Sequence, residues 1–387
     1  MECHLDPINR MEGPKKLSFE LHNVDLSIVN AIRRIILTDI PNVAFYCEPY
    51  ETNTSVRVIK NTGCLHNEFI LHRLSMIPIC FSKQEISAFR EEAYLFKLNA
   101  ANAGHGILDV TSGDIEVYKT ATGLDEKVKL SKVERDRLFP KNVITGDYIL
   151  LTKLRAKEEL HLEGHAQLGT ARTFAGFQPV SVCMHSYIKD PERVMKAKDA
   201  LIASMKVPVD SPEGVKLIAK FDCLDADRHF YVNEYGDPCR FLFKIESECA
   251  LSPNHLFNSA IRVLKHKLLE LKSVIDNDEQ REEGQISEKI QIEKFDAIPG
   301  CYQFVFVEED DTVGNILQSF IMQKYIRNGE LFQGYTVVYV GYCVPHPLDR
   351  KMVVRLVLES KDKAGDVPIV AYEKIVTQAL YDVSESI

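Results

Sequence analysis

The 387-residue sequence has no Cys-x-x-Cys pair, although it contains ten cysteines. Cysteines scattered singly favour a reduced, intracellular compartment. Phosphate-loop, nucleophile-elbow and protein-kinase patterns are also missing, so no common catalytic motif is present. The longest charge-free run, residues 331–348, contains two prolines and two glycines and is unsuited to a membrane-spanning helix. We therefore expect an intracellular protein without a membrane span.

An excess of positive charge is absent as well. The net charge is -9 and the isoelectric point is about 5.8, whereas a protein that grips phosphates by itself is usually basic overall or along one stripe. Direct, sequence-specific nucleic-acid binding is therefore disfavoured. A composition of 45% hydrophobic and 27% charged residues is that of an ordinary globular protein, and the length predicts two or three domains.

A strand followed by an amphipathic helix is predicted near the N-terminus. Leu17, Phe19 and Leu21 alternate with polar residues, as in a half-buried strand. Asp25 then fits a helix N-cap. The apolar residues of the helix recur at helical spacing: Ile28, Val29, Ile32, Ile35 and Ile36. The off-stripe positions are polar: Asn30, Arg33 and Arg34.

The same pattern returns almost three hundred residues later. Residues 302–307 predict a strand, acids follow at 308–311, and a second apolar stripe begins at Val313. Aligned on these stripes, the two helices match at several positions: Asn30 with Asn315, Ile32 with Leu317, and Ile35-Ile36 with Phe320-Ile321. Each unit also ends in a long amphipathic helix. The pattern leaves open whether the units pair with each other or fold independently.

These features predict an α+β protein with three structural parts. Residues 276–289 hold six acids and two bases, which is typical of a linker. Short strand-like pieces between glycine-rich turns indicate a mostly β inserted domain. The predicted boundaries are a discontinuous first domain at 1–44 and 178–275, the inserted domain at 45–177, the linker at 276–289 and a second domain at 290–387.

Two sets of segments carry a family resemblance. Residues 29–37 (Val-Asn-Ala-Ile-Arg-Arg-Ile-Ile-Leu) and 66–74 (His-Asn-Glu-Phe-Ile-Leu-His-Arg-Leu) resemble the third subunit of eukaryotic RNA polymerase II, its archaeal D-type counterpart and, for the first segment, bacterial alpha. Residues 309–317 and 341–348 resemble the eleventh subunit or its archaeal L-type counterpart. The chain therefore resembles two fused alpha-like subunits of a multisubunit, DNA-dependent RNA polymerase.

The resemblance implies a non-catalytic scaffold without cofactor or metal. Its two units would form a pseudo-heterodimer within a monomeric chain. That pair would seed assembly by docking the second-largest and largest polymerase subunits, together with small assembly subunits. Fusion of both partners resembles the arrangement in large DNA viruses of eukaryotes. This origin implies viral transcription in the host cytoplasm and presence in the virion, with the nucleus left open.

The resemblance and the helical pattern together give a set of expected subunit-interface residues: Asn30, Ile32, Arg33, Arg34, Ile36, His72, Arg73, Asn315, Leu317, Phe320 and His346. Family members use the first helix to meet the second-largest subunit, so we expect a charge-assisted contact there from Arg33 or Arg34. His346 stands between two prolines, which favours a rigid connection.

Two other functions remain open on sequence alone. His161, Glu163 and His165 could form the site of a metal-dependent hydrolase, although their alternation with apolar residues favours a strand. A DNA-binding transcription regulator built on the same scaffold is the other alternative. Several relatives carry clustered cysteines that bind metal in the inserted domain, but here Cys47, Cys64 and Cys80 are far apart in sequence, and we expect no such site.

Overall fold

The computed structural model describes residues 15–47, 54–120, 127–277, 289–360 and 367–387. The helices are α1 (Leu26–Thr38), α2 (Asn67–Ser75), α3 (Lys83–Ser87), α4 (Lys132–Leu138), α5 (Pro191–Ser204), α6 (Pro212–Lys220), α7 (Pro253–Asn277), α8 (Asp311–Ile321) and α9 (Ile369–Ser386). The strands are β1 (Lys16–His22), β2 (Asn42–Ala44), β3 (Val56–Asn61), β4 (Tyr94–Ala101), β5 (Leu108–Thr111), β6 (Ile115–Thr120), β7 (Lys127–Lys129), β8 (Leu150–Leu154), β9 (Glu159–Gly164), β10 (Gln167–Gly169), β11 (Val180–Tyr187), β12 (Arg240–Ser247), β13 (Ile290–Lys294), β14 (Cys301–Val307), β15 (Tyr335–Cys343) and β16 (Lys351–Ser360).

The first unit consists of a three-stranded antiparallel sheet, in the order β1-β12-β11, and the helices α1 and α7. Alternation of polar and apolar residues in β1 and β12 directs one face of the sheet towards the helices. Phe19 of β1 lies opposite Phe243 of β12. The ring of Phe257 from α7 packs on both, with centroids 4.9 and 5.8 Å away. These three aromatic rings join the sheet to α7.

The second unit has a four-stranded antiparallel sheet, in the order β13-β14-β16-β15, covered by α8 and α9. Tyr372 of α9 is buried against Tyr302 of β14, with ring centroids 4.6 Å apart. Its hydroxyl donates to the Gly300 carbonyl at 2.6 Å. Since β14, β16 and β15 occupy the places of β1, β12 and β11, the second sheet is the first sheet with β13 added at one edge.

The strand-helix segments of the two units repeat in register. Every position in the second segment is the first-segment position plus 285, from β1 and β14 through the N-caps Asp25 and Asp310 to the first residues of α1 and α8. The turn residues Asn23 and Glu308 share this register, and both adopt positive φ, at 54° and 62°. The alignment of Asn30 with Asn315 therefore also describes the backbone.

The inserted region, residues 45–177, is mostly β. It contains a five-stranded sheet in the order β3-β9-β4-β6-β7 and a β5-β8 pair. Its core includes Phe45, Phe96 and Phe139, whose ring centroids lie 5.0 to 6.4 Å apart. At its base, β2 pairs with β10. The predicted α+β class is confirmed.

A second insertion, residues 188–239, separates β11 from β12 and carries α5 and α6. The sequence analysis assigned no separate structure to it. At the equivalent place in the second unit, only residues 344–350 connect β15 to β16. The predicted linker at 276–289 falls mainly on residues 278–288, which lie outside the described residues. Within the described ranges, no helix is long and apolar enough to cross a membrane.

Candidate assembly interface

The two units meet through their helices, with α1 against α8 and α7 against α9. The apolar stripes predicted from sequence are buried there and in the adjoining sheets, including Ile32, Ile36 and Leu317 at 4%, 0% and 0% exposure. Burial of such side chains contributes about 1.5–3 kcal/mol each. The units therefore form an intramolecular pair, and the alternative of two independent domains is wrong.

Reciprocal contacts of the two N-cap carboxylates show that α1 and α8 run antiparallel. Oδ1 of Asp25 accepts from the Ser27 amide at 2.8 Å, and its Oδ2 accepts from the Ser319 hydroxyl at 2.9 Å. Oδ1 of Asp310 accepts from the Thr312 amide at 2.8 Å, and its Oδ2 lies 3.1 Å from Nη2 of Arg34. Each cap thus also reaches across to the opposite helix.

These contacts follow a pseudo-twofold axis. Arg34 and Ser319 occupy the same position in the 285-residue register, so the contact of Asp25 with Ser319 is the counterpart of the contact of Asp310 with Arg34. In a twofold interface, residue i contacts j and the second j contacts the second i. One polypeptide therefore contains the geometry of a dimer.

The side of the interface around Asp310 is ionic. Arg34 also donates from Nε to the Thr312 hydroxyl at 2.9 Å. Arg172, from the inserted region, bridges Asp39 at 2.9 Å and Asp310 at 3.1 Å. Burial opposes ionisation of Asp310, but hydrogen bonds from Thr312 and the charges of Arg34 and Arg172 outweigh it, and its pKa lies well below the usual value. The ionised carboxylate therefore ties three parts of the chain together.

A second ion pair lies deeper, between α7 and the start of α8. Nζ of Lys267 is 3.0 Å from Glu309, whose side chain is only 10% exposed, and 4.0 Å from Asp39. Burial raises the pKa of Glu309, and the Lys267 charge opposes this rise. A buried charge of this kind is costly without its partner. Lys267 and Glu309 therefore depend on each other.

The helices α7 and α9 supply the larger apolar contact, and they also run antiparallel. Lys265 lies 3.4 Å from Glu385, and Lys272 lies 6.0 Å from the centre of the Tyr381 ring. The buried residues of α7 are Leu256, Phe257, Ala260, Leu264, Leu268, Leu271 and Ile275. Those of α9 are Ala371, Tyr372, Ile375, Val376, Ala379, Leu380 and Val383.

The other predicted helix residues lie towards the outer side of the pair. Arg33 donates from Nε and Nη2 to Oδ1 of Asn30, at 3.0 and 2.8 Å, within α1. Phe320 is half-buried against the core, with Nζ of Lys324 5.7 Å from its ring centre. Asn315 is also half-buried. Thus Arg34 points to the second unit, whereas Arg33 is hydrogen-bonded within its own helix.

Three predicted interface residues lie elsewhere. His72 and Arg73 belong to α2 of the inserted region, where Arg73 donates to the carbonyls of Leu151 and Leu150 at 2.7 and 2.8 Å. Arg73 therefore fastens α2 to β8. His346 lies in the exposed turn after β15, and its Nδ1 accepts from the Leu348 amide at 3.2 Å. The structure does not bring these residues to the α1-α8 contact.

The residues of the alternative hydrolase site have structural partners. His161 lies between Asn99 and Glu159, at 3.0 and 3.1 Å. Glu163 pairs with Lys97 at 2.8 Å. Nδ1 of His165 lies 2.6 Å from the carbonyl oxygen of Tyr94. Among the described residues, no three His, Cys, Asp or Glu side chains are grouped so as to hold a metal ion.

Comparison with known proteins gives this interface a family. The sequence model of the RNA polymerase Rpb3/Rpb11 dimerisation domain matches residues 18–268, and a second model of the same description matches residues 301–381. The chain belongs to the Rpb3/Rpb11 dimerisation family. It is a fused alpha-like subunit, with one dimerisation domain in each unit, and the predicted pseudo-heterodimer is confirmed.

Relatives of this fused alpha-like subunit include polymerase subunits from plants, fungi and archaea. Subunit 3B of DNA-directed RNA polymerases IV and V from Arabidopsis thaliana is 27% identical, over 65% of this chain and 85% of its own length. Subunit RPAC1 of polymerases I and III from Saccharomyces cerevisiae is 25% identical, over 67% and 84%. Subunit Rpo3 from Methanosphaera stadtmanae is 22% identical, over 70% and 98%.

Sequence reasoning missed several residues of the interface. Asp310 could have been found, because an acid stands at the N-cap position of both repeats, as Asp25 does in the first. Arg172, Lys267 and Asp39 had no comparable pattern. They are far apart in sequence and meet only after the inserted region returns to the first unit.

Proposed function

We propose that this fused alpha-like subunit is a non-catalytic assembly scaffold of a DNA-dependent RNA polymerase. Its role would be to present a preformed pair of units to the second-largest and largest subunits, alongside the small assembly subunits. The observation that carries the proposal is the reciprocal contact of Asp25 and Asp310 across α1 and α8. A scaffold requires a defined surface and no reactive group, and this interface supplies such a surface.

Fusion would make the pair permanent. A short flexible tether raises the effective concentration of a partner to about the millimolar range. With this tether, the units stay paired at any concentration of the chain. The scaffold would therefore be ready for docking as soon as one polypeptide has folded.

Arg33 is the residue that we assign to docking of the second-largest subunit. Arg34 is engaged by Asp310 across the interface, whereas Arg33 bonds to Asn30 of its own helix. Gln318 occupies the position of Arg33 in the second unit, and its Oε1 accepts from the Tyr342 amide at 3.0 Å. The first unit thus presents a cation where the second presents a neutral side chain already bonded to its own strand. An acidic partner surface would distinguish these two faces.

An intracellular site of action is part of the proposal. Ten cysteines without a Cys-x-x-Cys pair are compatible with a reducing compartment. Fusion of the two partners supports an origin in a large DNA virus, with transcription in the host cytoplasm and carriage in the virion. Location of the tagged chain in infected cells and in purified particles would test this part separately.

The test of docking is co-purification. The tagged chain is expressed in its source, and the bound chains are identified by mass spectrometry. We expect two very large polymerase subunits with the unaltered chain and at least about tenfold less of the second-largest with Arg33→Ala, because a charge-assisted contact is lost. Gln318→Ala, at the equivalent position, is the matched control. Failure to recover either large subunit with the unaltered chain would refute the proposed function.

A further inference from the structure

A groove of about 430 Å³ lies where the first unit meets the inserted region. The chain enters it after α1 at Ile40 and Pro41, and α3 and α7 form its sides. Ile40 and Ile86 are buried in it, at 3% and 8% exposure. Leu168 also lines it but remains 44% exposed. An apolar floor with a large apolar side chain in water is typical of a protein-binding surface.

The polar residues of this groove carry charge of one sign. Lys83 of α3 and Arg262 of α7 line it together with His255, and none of its lining residues is acidic. Neither Lys83 nor Arg262 forms an ion pair with an acid among the residues that the structure describes. Burial lowers the pKa of His255, and the charges of Lys83 and Arg262 lower it further, which shows how near the cations lie to the ring.

Nearby acids are engaged elsewhere. Glu85, on the same short helix as Lys83, is held by two hydrogen bonds from Arg137 and by the Ser82 cap. Its carboxylate is therefore committed to α4. The two cations of the groove would attract an anionic partner, since electrostatic complementarity steers association and selects partners.

From the apolar floor and the cationic rim we infer that this groove binds an acidic peptide segment of another polymerase subunit, with one bulky apolar side chain seated between Ile86 and Leu168. The inference rests on the proposed function, because it takes its partner from the polymerase. It adds a second docking surface, formed jointly by the inserted region and the first unit. The site lies on a different part of the chain from Arg33.

The groove can be tested by photo-crosslinking in the native complex. Ser87, which is exposed and lines the groove, is replaced by p-benzoylphenylalanine in the tagged full-length chain, and the crosslinked peptide is identified by mass spectrometry. Ser273 is the control, as another exposed serine whose hydroxyl donates to a carbonyl of its own helix. We expect a crosslink from Ser87 only, to one segment of another subunit with more acids than bases and a large apolar residue.

Charge reversal then tests the rim. Lys83→Glu with Arg262→Glu should reduce the yield of that crosslink about tenfold at low salt, because two attractive contacts become repulsive. Lys132→Glu with Arg155→Glu, an exposed pair on the inserted region, should leave the yield unchanged. The inference is overturned by a crosslink no stronger than from Ser273, by one to this chain or a second copy, by one to a basic or neutral segment, or by a yield that survives charge reversal.

The two proposals fail in distinguishable ways. If the large subunits co-purify with the chain but the groove gives no such crosslink, the groove inference alone is wrong. If no large subunit co-purifies, the proposed function is wrong and the groove inference falls with it.

Discussion

The two units share a backbone pattern and differ in their charges. From β1 to α1 and from β14 to α8, strand length, positive-φ turn, N-cap and helix start repeat in register. Yet the caps meet different partners, since Asp25 contacts Ser319 and Gln323 whereas Asp310 contacts two arginines. The shared pattern explains why the units pair. The differences in charge give the pair two unlike sides.

The units also differ in what interrupts them. Between α1 and β11 the first unit carries the inserted region, and between β11 and β12 it carries residues 188–239. The second unit keeps short connections at both places. Arg172, which the inserted region brings to the α1-α8 contact, shows one effect of this difference, because the insertion becomes part of the pairing interface.

The largest expected effect comes from the matched core positions. Ile32→Ala and Leu317→Ala should each lower the free energy of unfolding by about 2–5 kcal/mol, because both side chains are buried and truncation leaves a cavity. Urea unfolding of the purified chain measures this. Val133→Ala, at an 81% exposed position, is the control and should change stability by less than about 0.5 kcal/mol. A large loss at one matched position and almost none at the other would break the comparison.

The N-cap acids should show the charge difference directly. Asp310→Ala removes a cap and two ionic contacts and should cost about 2–4 kcal/mol, whereas Asp25→Ala removes a cap and neutral hydrogen bonds and should cost about 1–2 kcal/mol. Asn substitutions at each site are the controls, since Asn caps helices about as well as Asp. Equal losses for the two alanine variants would contradict the assignment of the ionic side to Asp310.

The pH dependence of Asp310 follows from its lowered pKa. A folded-state pKa below the unfolded value of about 3.9 means that the ionised carboxylate stabilises the fold at neutral pH. This contribution is lost as the pH falls below that value towards the folded pKa. The stability difference between the unaltered chain and Asp310→Asn should therefore be largest above about pH 5 and shrink below about pH 4. A constant difference between pH 7 and pH 3 would show that the charge does not matter.

The smallest effect is expected at the two positive-φ turn residues. Glu308→Gly should stabilise the chain by about 0.5–1 kcal/mol, because glycine adopts this conformation without the penalty of a side chain. Asn23→Gly should change stability by less than about 0.5 kcal/mol, since asparagine tolerates positive φ. Loss of the exposed ion pair of Glu308 with Arg350 should contribute little. Thermal or urea unfolding of both variants would show whether the two turns differ in strain.

The sequence was most informative where structure is local. Alternation in β1, helical spacing in α1 and α8, and the acid before each helix predicted the repeated unit and its register, including the match of Asn30 with Asn315. The segments that resemble relatives also identified the family. The second insertion was missed, because Pro191 and Pro212 begin α5 and α6 without an apolar stripe strong enough to separate them from the surrounding unit. In α5 no residue is fully buried.

By itself, the sequence determined that two strand-helix units with apolar faces stand on one chain, because periodicity and capping depend on neighbouring residues. Only the tertiary structure decided that Arg34 turns inward while Arg33 stays on the outer side, since both lie off the same stripe. It also brought Arg172, Lys267 and Asp310 together from positions that lie far apart in sequence. Contacts of that kind are set by how complete elements pack, and no local pattern encodes them.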